Sequence, residues 1–341
     1  MDFIAIGSAT RDAFFKVNFE TVNWPDTPSK KAYVLPVGEK LDVENIFFTT
    51  GGNAVNASVT FARQKFKTAC VAKVGCDVSG EAIKETLRKE GVDHRLLRCA
   101  KKIPTAYSTL ILENGERTIL GYHGAADYFN KSDLDFNSLK SKWWYVSLAG
   151  KSISMFRDLI NFSAKNNIAV AFNPTGYHIK NNSKEILSAL KNLSFFVLND
   201  EEASLLTGIP FKDEKAVVGR IISLMNGRGI AAITLGPKGV LVSDGRHIYK
   251  AGVFKEKEIV DRTGAGDAFG AGFVAALLRK GITSQNLKDK INKIIIGEAI
   301  RFASANATSV VEKIGAQPGI LTSQQFKKSR WKILPIKEIV L

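Results

Sequence analysis

Cysteine is scarce. Only Cys70, Cys76 and Cys99 occur in 341 residues. The number is odd and no Cys-x-x-Cys spacing appears, so neither a disulfide framework nor a zinc site is expected. A reducing cytoplasm is the expected compartment. No apolar run reaches the roughly 18 residues that span a bilayer, so no membrane attachment is expected. The opening MDFIAIGSATRDAFF carries an acid at Asp2 and no basic lead-in, and reads as a first strand, not a signal peptide. There is no GxxxxGK[ST] loop, and no glycine run has the Rossmann spacing, which excludes those two kinds of nucleotide site.

What is present is an ordinary globular balance, with 45% hydrophobic and 24% charged residues, in a chain long enough for one large α/β domain or two smaller ones. The net charge of +15 is the one unusual number, and it raises the question of nucleic acid. The basic residues are scattered among acids, and the only compact run is KKSRWK at 327–332. A basic surface that attracts phosphorylated ligands accounts for this, and no nucleic-acid partner is expected.

The most informative stretch is IVDRTGAGDAFGAGFVAALLRKG, residues 259–281. A β-branched run ends at Asp261, glycines punctuate a turn at 264–266, and an apolar stretch runs on to Gly281. The pattern predicts strand, tight loop and helix. Such a loop offers free N–H groups at the positive end of a helix, a place for phosphate. Asp267 lies just beyond it. As a bare helix-start acid it needs no other explanation. Next to an anion site, however, its chemistry is to take a proton from a hydroxyl that attacks the neighbouring phosphate. Gly266, Gly270 and Gly272 each weaken a helix by about 1 kcal/mol relative to alanine, which close backbone approach would justify.

Three further segments stand out: GGNAVN at 51–56, NDEE at 199–202 and TLGPKG at 234–239. Each alone is a loop, a helix cap or a turn. Together, and in this order ahead of DRTGAGD, they resemble the ribokinase-like (pfkB) carbohydrate kinase family. In that comparison Asp261, Gly264, Ala265, Gly266 and Asp267 match the family's D-T-x-G-A-G-D, while Arg262 stands where a small polar residue is common.

The resemblance implies an α/β fold of the ribokinase-like three-layer α/β/α kind. It would have a mostly parallel central sheet and a small β-sheet lid. Residues 1–12, 51–102 and 123–341 would form the core. Segments 13–50 and 103–122 would form the lid, the second as a hairpin centred on Asn114-Gly115, and the lid can also make a homodimer. Pro25, Pro28 and Pro36 argue against helix in the first segment. Alternating strands and helices are expected through 69–311, and a pair of edge strands at 329–341.

It further implies ATP- and Mg²⁺-dependent phosphorylation of a hydroxymethyl group on a small sugar. Asp267 would be the general base, and the N–H groups of Gly264, Ala265 and Gly266 would hold the transferring phosphoryl group. Asp12, at the end of the first strand, and Gly51, Gly52 and Asn56 would hold substrate hydroxyls. Asn199, Glu202, Thr234, Gly236, Gly239 and Asn306 would face the nucleotide, Glu202 through Mg²⁺-bound water, with the small residues Ala299, Ala303, Ala305 and Ala307 beside the adenine. Asp261, Thr263 and Gly315 would take part in a K⁺ site found in some members. A nucleoside kinase is the alternative. Less favoured are a 2-keto-3-deoxygluconate kinase, with Arg117 as the cation for its acid group, and a non-catalytic sugar- or nucleotide-binding protein.

Overall fold

The computed structural model describes all residues except 28–29 and 114–115, with backbone alone at 113 and 116. Pro28 and the Asn114-Gly115 turn centre thus lie outside the described residues. The first strand, β1 (Phe3–Gly7), is buried at every position, as its unbroken apolar run requires of a strand covered on both faces. It sits inside a nine-stranded sheet. Parallel strands β6 (Thr68–Val71), β1, β11 (Trp143–Ser147), β12 (Ala169–Phe172), β13 (Phe195–Asn199) and β14 (Ile230–Thr234) follow one another across it. Three antiparallel strands complete it: β15 (Val240–Ser243), β16 (His247–Ala251) and β17 (Ile336–Val340).

Period-two alternation splits the core in two. Phe3, Trp143, Tyr145 and Phe195 face one side, where they pack with Phe61, Phe273 and Phe302. These come from α1 (Asn53–Arg63), α9 (Ala265–Arg279) and α11 (Lys293–Val311), with α2 (Val78–Lys89) alongside. Ile4, Trp144, Val146 and Phe196 face the other side, against Phe156, Leu159, Ile186, Leu206 and Ile221. There the cover is α4 (Phe156–Lys165), α6 (Ser183–Ala189), α7 (Asp200–Thr207) and α8 (Glu214–Leu224). Short helices α3 (Gly124–Asp127), α5 (Gly176–Asn181) and α10 (Leu287–Lys290) join these layers. By length and composition α11 is apolar enough to cross a membrane. Its Ile300, Phe302 and Ala303 are instead buried in the core.

A second sheet of four strands runs β10–β9–β2–β5: Glu116–Tyr122, Ala106–Glu113, Thr10–Lys16 and Asn45–Gly51. Between β2 and β5, a hairpin joins β3 (Thr21–Asn23) and β4 (Lys31–Tyr33). A parallel pair, β7 (Lys73–Gly75) and β8 (Arg98–Ala100), lies beyond β6.

Several expectations are corrected. Asp12 is not in a loop at the end of β1. It is inside β2, in register with Thr49 and Ser108. Ile259 and Val260 form no strand; the amides of Val260 and Asp261 bond instead to the carbonyl of Val311, at the end of α11. The C-terminal segment carries one strand, not two, because residues 325–327 and 329–331 are 3₁₀ turns. Cys76 and Cys99 form a disulfide, leaving Cys70 as the buried free thiol. Cys76 directly follows β7 and Cys99 lies within β8, so the bridge depends on that strand pairing, a long-range contact that cysteine counting does not reveal.

Candidate active site

Helix α9 starts at Gly264, which adopts φ +78°. A side chain there would meet strain and overlap Ala316. The loop therefore closes against the chain that follows α11. Beyond it, the amides of Gly266 and Asp267 have no partner among the described residues, and that of Ala265 makes only a long 3.4 Å contact with the Arg262 carbonyl. These are the orphan donors of a helix N-terminus. Downstream glycines serve packing: a side chain at Gly270 would overlap the Tyr145 hydroxyl, and one at Gly272 would lie 3.1 Å from Cα of Ala303 on α11.

Asp267 is buried, 9% exposed. Its Oδ2 accepts from Nδ2 of Asn56 at 2.9 Å, and Oδ1 accepts nothing from the described residues. Burial pushes its pKa up from 3.8 to about 6, and the Asn56 bond opposes part of that rise. Asn56 was expected to hold a substrate diol. Its carbonyl oxygen instead accepts from Nε2 of Gln317 at 3.1 Å, so the carbonyl and one N–H are committed inside the protein.

The N-terminus of α9 separates two cavities. Asp267 and Gly264 line the first, of about 340 Å³, together with Asp12, Gly52, Asn56 and Ser108. Its aliphatic wall is Leu110, Ile119 and Leu148. Asp12 is buried; desolvation raises its pKa, opposed by hydrogen bonds from Thr10 and Ser108. Gly51 does not line this cavity; it backs Asp12, whose carboxylate fills the space a side chain at 51 would need.

Ala265 and Gly266 line the second cavity, of about 510 Å³. Asn199, Thr234, Gly236 and Gly239 border it as well. Ala307, Thr308 and Val311 of α11 supply its apolar wall. Of the four alanines expected there, only Ala307 reaches it; Ala299, Ala303 and Ala305 are in the core. Asn306 is also misplaced by the sequence reading. It is fully buried, donating to the carbonyl of Ala268 at 2.9 Å and accepting from the amide of Leu321 at 2.9 Å. It ties α11 to α9 and faces no cavity.

Asn199 and Glu202 form a reciprocal cap on α7: Asn199 Oδ1 accepts from the Glu202 amide at 2.7 Å, and Glu202 Oε2 accepts from the Asn199 amide at 2.9 Å. Burial raises the Glu202 pKa. Asp200 and Glu201, between them, line the second cavity. Arg117 and Arg262 border it too. Arg117 comes from β10 of the small sheet, with its guanidinium 3.9 Å from Asp261 Oδ1. It is therefore not placed to meet an acid group in the first cavity.

Asp261, Thr263 and Gly315 are together, as a cation site would need. Oδ1 of Asp261, however, accepts from the amide and hydroxyl of Thr263, at 2.9 and 2.7 Å, and Oδ2 from the amide of Gly315 at 3.0 Å. As placed, these residues hydrogen-bond to one another: Oδ1 has both acceptor positions filled and Oδ2 keeps one.

Sequence reading missed Gln317 and Ser108 as neighbours of the site, and set Arg117 at the wrong cavity. The pairing of β2 with β9 sets Ser108 beside Asp12, and no local pattern announces such a contact.

A covered parallel sheet, a helix N-terminus with free amides, and a cavity on either side of it make up an α/β protein whose candidate site is centred on that helix start. The chain belongs to the pfkB family of carbohydrate kinases: the family model described as "pfkB family carbohydrate kinase" matches residues 27–323. It is similar to the ribokinase of Haemophilus influenzae, 29% identical over 310 residues that cover 86% of this chain and 91% of the relative. It is similar to the same degree, 29% over 285 residues, to a nucleoside kinase of Methanothermobacter thermautotrophicus, covering 79% of this chain and 81% of the relative. Among solved structures, Arabidopsis thaliana ribokinase complexed with ribose and ATP superposes with a TM-score of 0.75 at 21% identity, covering 97% of this chain and 99% of that one. The enzyme is a kinase of sugar or nucleoside alcohol groups.

Proposed function

We propose that this kinase transfers the terminal phosphoryl group of ATP to a hydroxymethyl group of a ribose-like sugar, with Asp267 as general base. One observation carries the reading: the Asp267 carboxylate has one oxygen held by Asn56 and the other unpartnered beside the first cavity, within the helix turn whose free amides border the second. The sugar would occupy the first cavity, with hydroxyls on Asp12 and on the polar groups around it. Its reacting hydroxyl would lose its proton to Asp267 as it attacks phosphorus. Charge growing on the transferred group would fall on the amides of Gly264, Ala265 and Gly266, and such preorganised donors are each worth about 3 kcal/mol at a transition state. The small sheet roofs the sugar and keeps water from competing.

Among the described residues no cluster of three His, Cys, Asp or Glu could hold a metal directly. The oxygens of Asn199, Asp200 and Glu201 at the ATP cavity nevertheless suit Mg²⁺ that keeps its waters, with Glu202 behind them. Bound there with ATP, the ion would neutralise phosphate charge. The remaining residues position the two substrates.

A nucleoside is the second reading. The wall of Leu110, Ile119 and Leu148 offers an apolar surface to a base, and the 340 Å³ cavity exceeds what a pentose fills. The sheet's outer face also carries Ile46, Phe48, Leu120 and Tyr122, 41%, 53%, 58% and 52% exposed, which fits a homodimer through this sheet. A phosphate-transfer screen of pentoses, hexoses and nucleosides with ATP and Mg²⁺ tests the reading. Turnover of ribose-like sugars supports it. Turnover of nucleosides alone selects the second, and turnover of neither overturns both.

A further inference from the structure

Four buried side chains form one hydrogen-bonded line from the small sheet to Asp267. Thr50, at the end of β5, donates its hydroxyl to Oε1 of Gln317 at 3.2 Å. Nε2 of Gln317 donates to the carbonyl of Thr50 at 2.8 Å and to Oδ1 of Asn56 at 3.1 Å. Asn56 then donates to Asp267 Oδ2 at 2.9 Å. Thr50, Asn56, Gln317 and Asp267 are 4%, 4%, 7% and 9% exposed. Every donor in the line meets an acceptor, and the polarity cannot be reversed: a carboxylate only accepts, and a backbone carbonyl only accepts.

The two ends therefore dictate the middle. Thr50's carbonyl and hydroxyl fix which end of the Gln317 amide faces Asn56. Gln317 in turn fixes which end of the Asn56 amide faces Asp267. Without it, Asn56 can rotate by half a turn and present its oxygen to the carboxylate, which repels it. We infer that Gln317 is a positioning residue: it locks the Asn56 amide with its nitrogen toward Oδ2 of Asp267, leaving Oδ1 of Asp267 as the oxygen that meets the substrate, and joins that geometry to the sheet that holds Asp12. This rests on Asp267 acting as the base.

The segment that carries Gln317 also holds Ala316, against which Gly264 closes. One stretch of chain thus sets both the base and the anion-holding turn. A purely structural glutamine would affect melting alone. A positioning one also moves the proton affinity of Asp267, because a hydrogen bond to the charged form favours that form.

The test is the pH dependence of kcat in Gln317→Met, which keeps volume but has no amide, and in Gln317→Glu, which is polar yet when ionised cannot donate to Asn56. Each is compared with wild type and Asp267→Asn, with melting temperatures recorded alongside. Expected is a fall in kcat of about ten- to a hundredfold, the scale on which outer partners of a reacting group act, with the acid limb moved to higher pH and the KM for ATP unchanged. If Gln317→Met does not fold, Gln317→Glu carries the test. A wild-type acid limb and kcat in a folded variant overturn the assignment of Gln317. An active Asp267→Asn overturns the base itself, so the two failures are distinguishable.

Discussion

On the proposed reading one carboxylate, that of Asp267, decides the chemistry, and its burial has two opposite consequences. As a base Asp267 must be ionised, so turnover is expected to fall about tenfold per pH unit below its raised pKa of about 6. Asp267→Asn should lower kcat by about 10³-fold or more, with little change in ATP and sugar affinity; calorimetric titration beside a turnover assay checks both. For stability the sign reverses. The folded pKa exceeds the unfolded value of 3.8, so the native state holds the proton more tightly, and the cost of ionising the group grows between pH 3.8 and about 6 and is complete above that. At about 1.4 kcal/mol per unit, this is roughly 3 kcal/mol at most. Asp267→Asn should thus melt higher than wild type at pH 8, with the difference vanishing near pH 4. Asn306 illustrates the limit of residue-level reading. A polar residue on a small-residue helix is equally compatible with a cavity wall or a core tie, and only the neighbours supplied by Ala268 and Leu321 decide.

At the level of elements, the turn into α9 was legible because its determinants are local: glycines at 264 and 266, an acid at 267 and an apolar helix to follow. The extended segment before it was misread as a strand because β-branched residues favour extension whether or not a partner strand exists. The two glycines should answer differently to substitution. Gly264→Val meets both positive φ and Ala316, and is expected to destabilise the fold by at least 1–2 kcal/mol, the cost of left-handed backbone alone, in denaturant titration. At Gly266 nothing lies within 4 Å of an added side chain. Gly266→Val should fold normally and raise the KM for ATP by obstructing the cavity, a shift that steady-state kinetics reads directly. The cap on α7 is a case where two readings coexist: Asn199 and Glu202 satisfy the helix start, and Asn199, Asp200 and Glu201 still border the second cavity.

For the whole molecule, motif order was enough to reach the three-layer fold, since each segment follows a strand of the main sheet or opens a helix. The small sheet was harder. Asp12 belongs to it, and not to the edge of the main sheet, because β2 pairs with both β5 and β9 across long sequence separations. The disulfide between Cys76 and Cys99 depends on the same kind of remote pairing. The outer face of this sheet leads to a prediction at this scale. Phe48→Glu together with Leu120→Glu should convert a dimer to monomer in sedimentation analysis, because two charges would enter an apolar contact. A species of unchanged mass in wild type and variant would rule this contact out.

The two cavities share a single partition, the first turn of α9. A molecule that tethers a pentose to a nucleotide through a phosphate bridge would occupy both compartments at once. The second half would then bind at the effective concentration set by the tether, which for a short linker lies in the millimolar range. Affinity should exceed that of either half alone, and should depend sharply on linker length, since both halves can be seated together only when the tether matches the span around that turn.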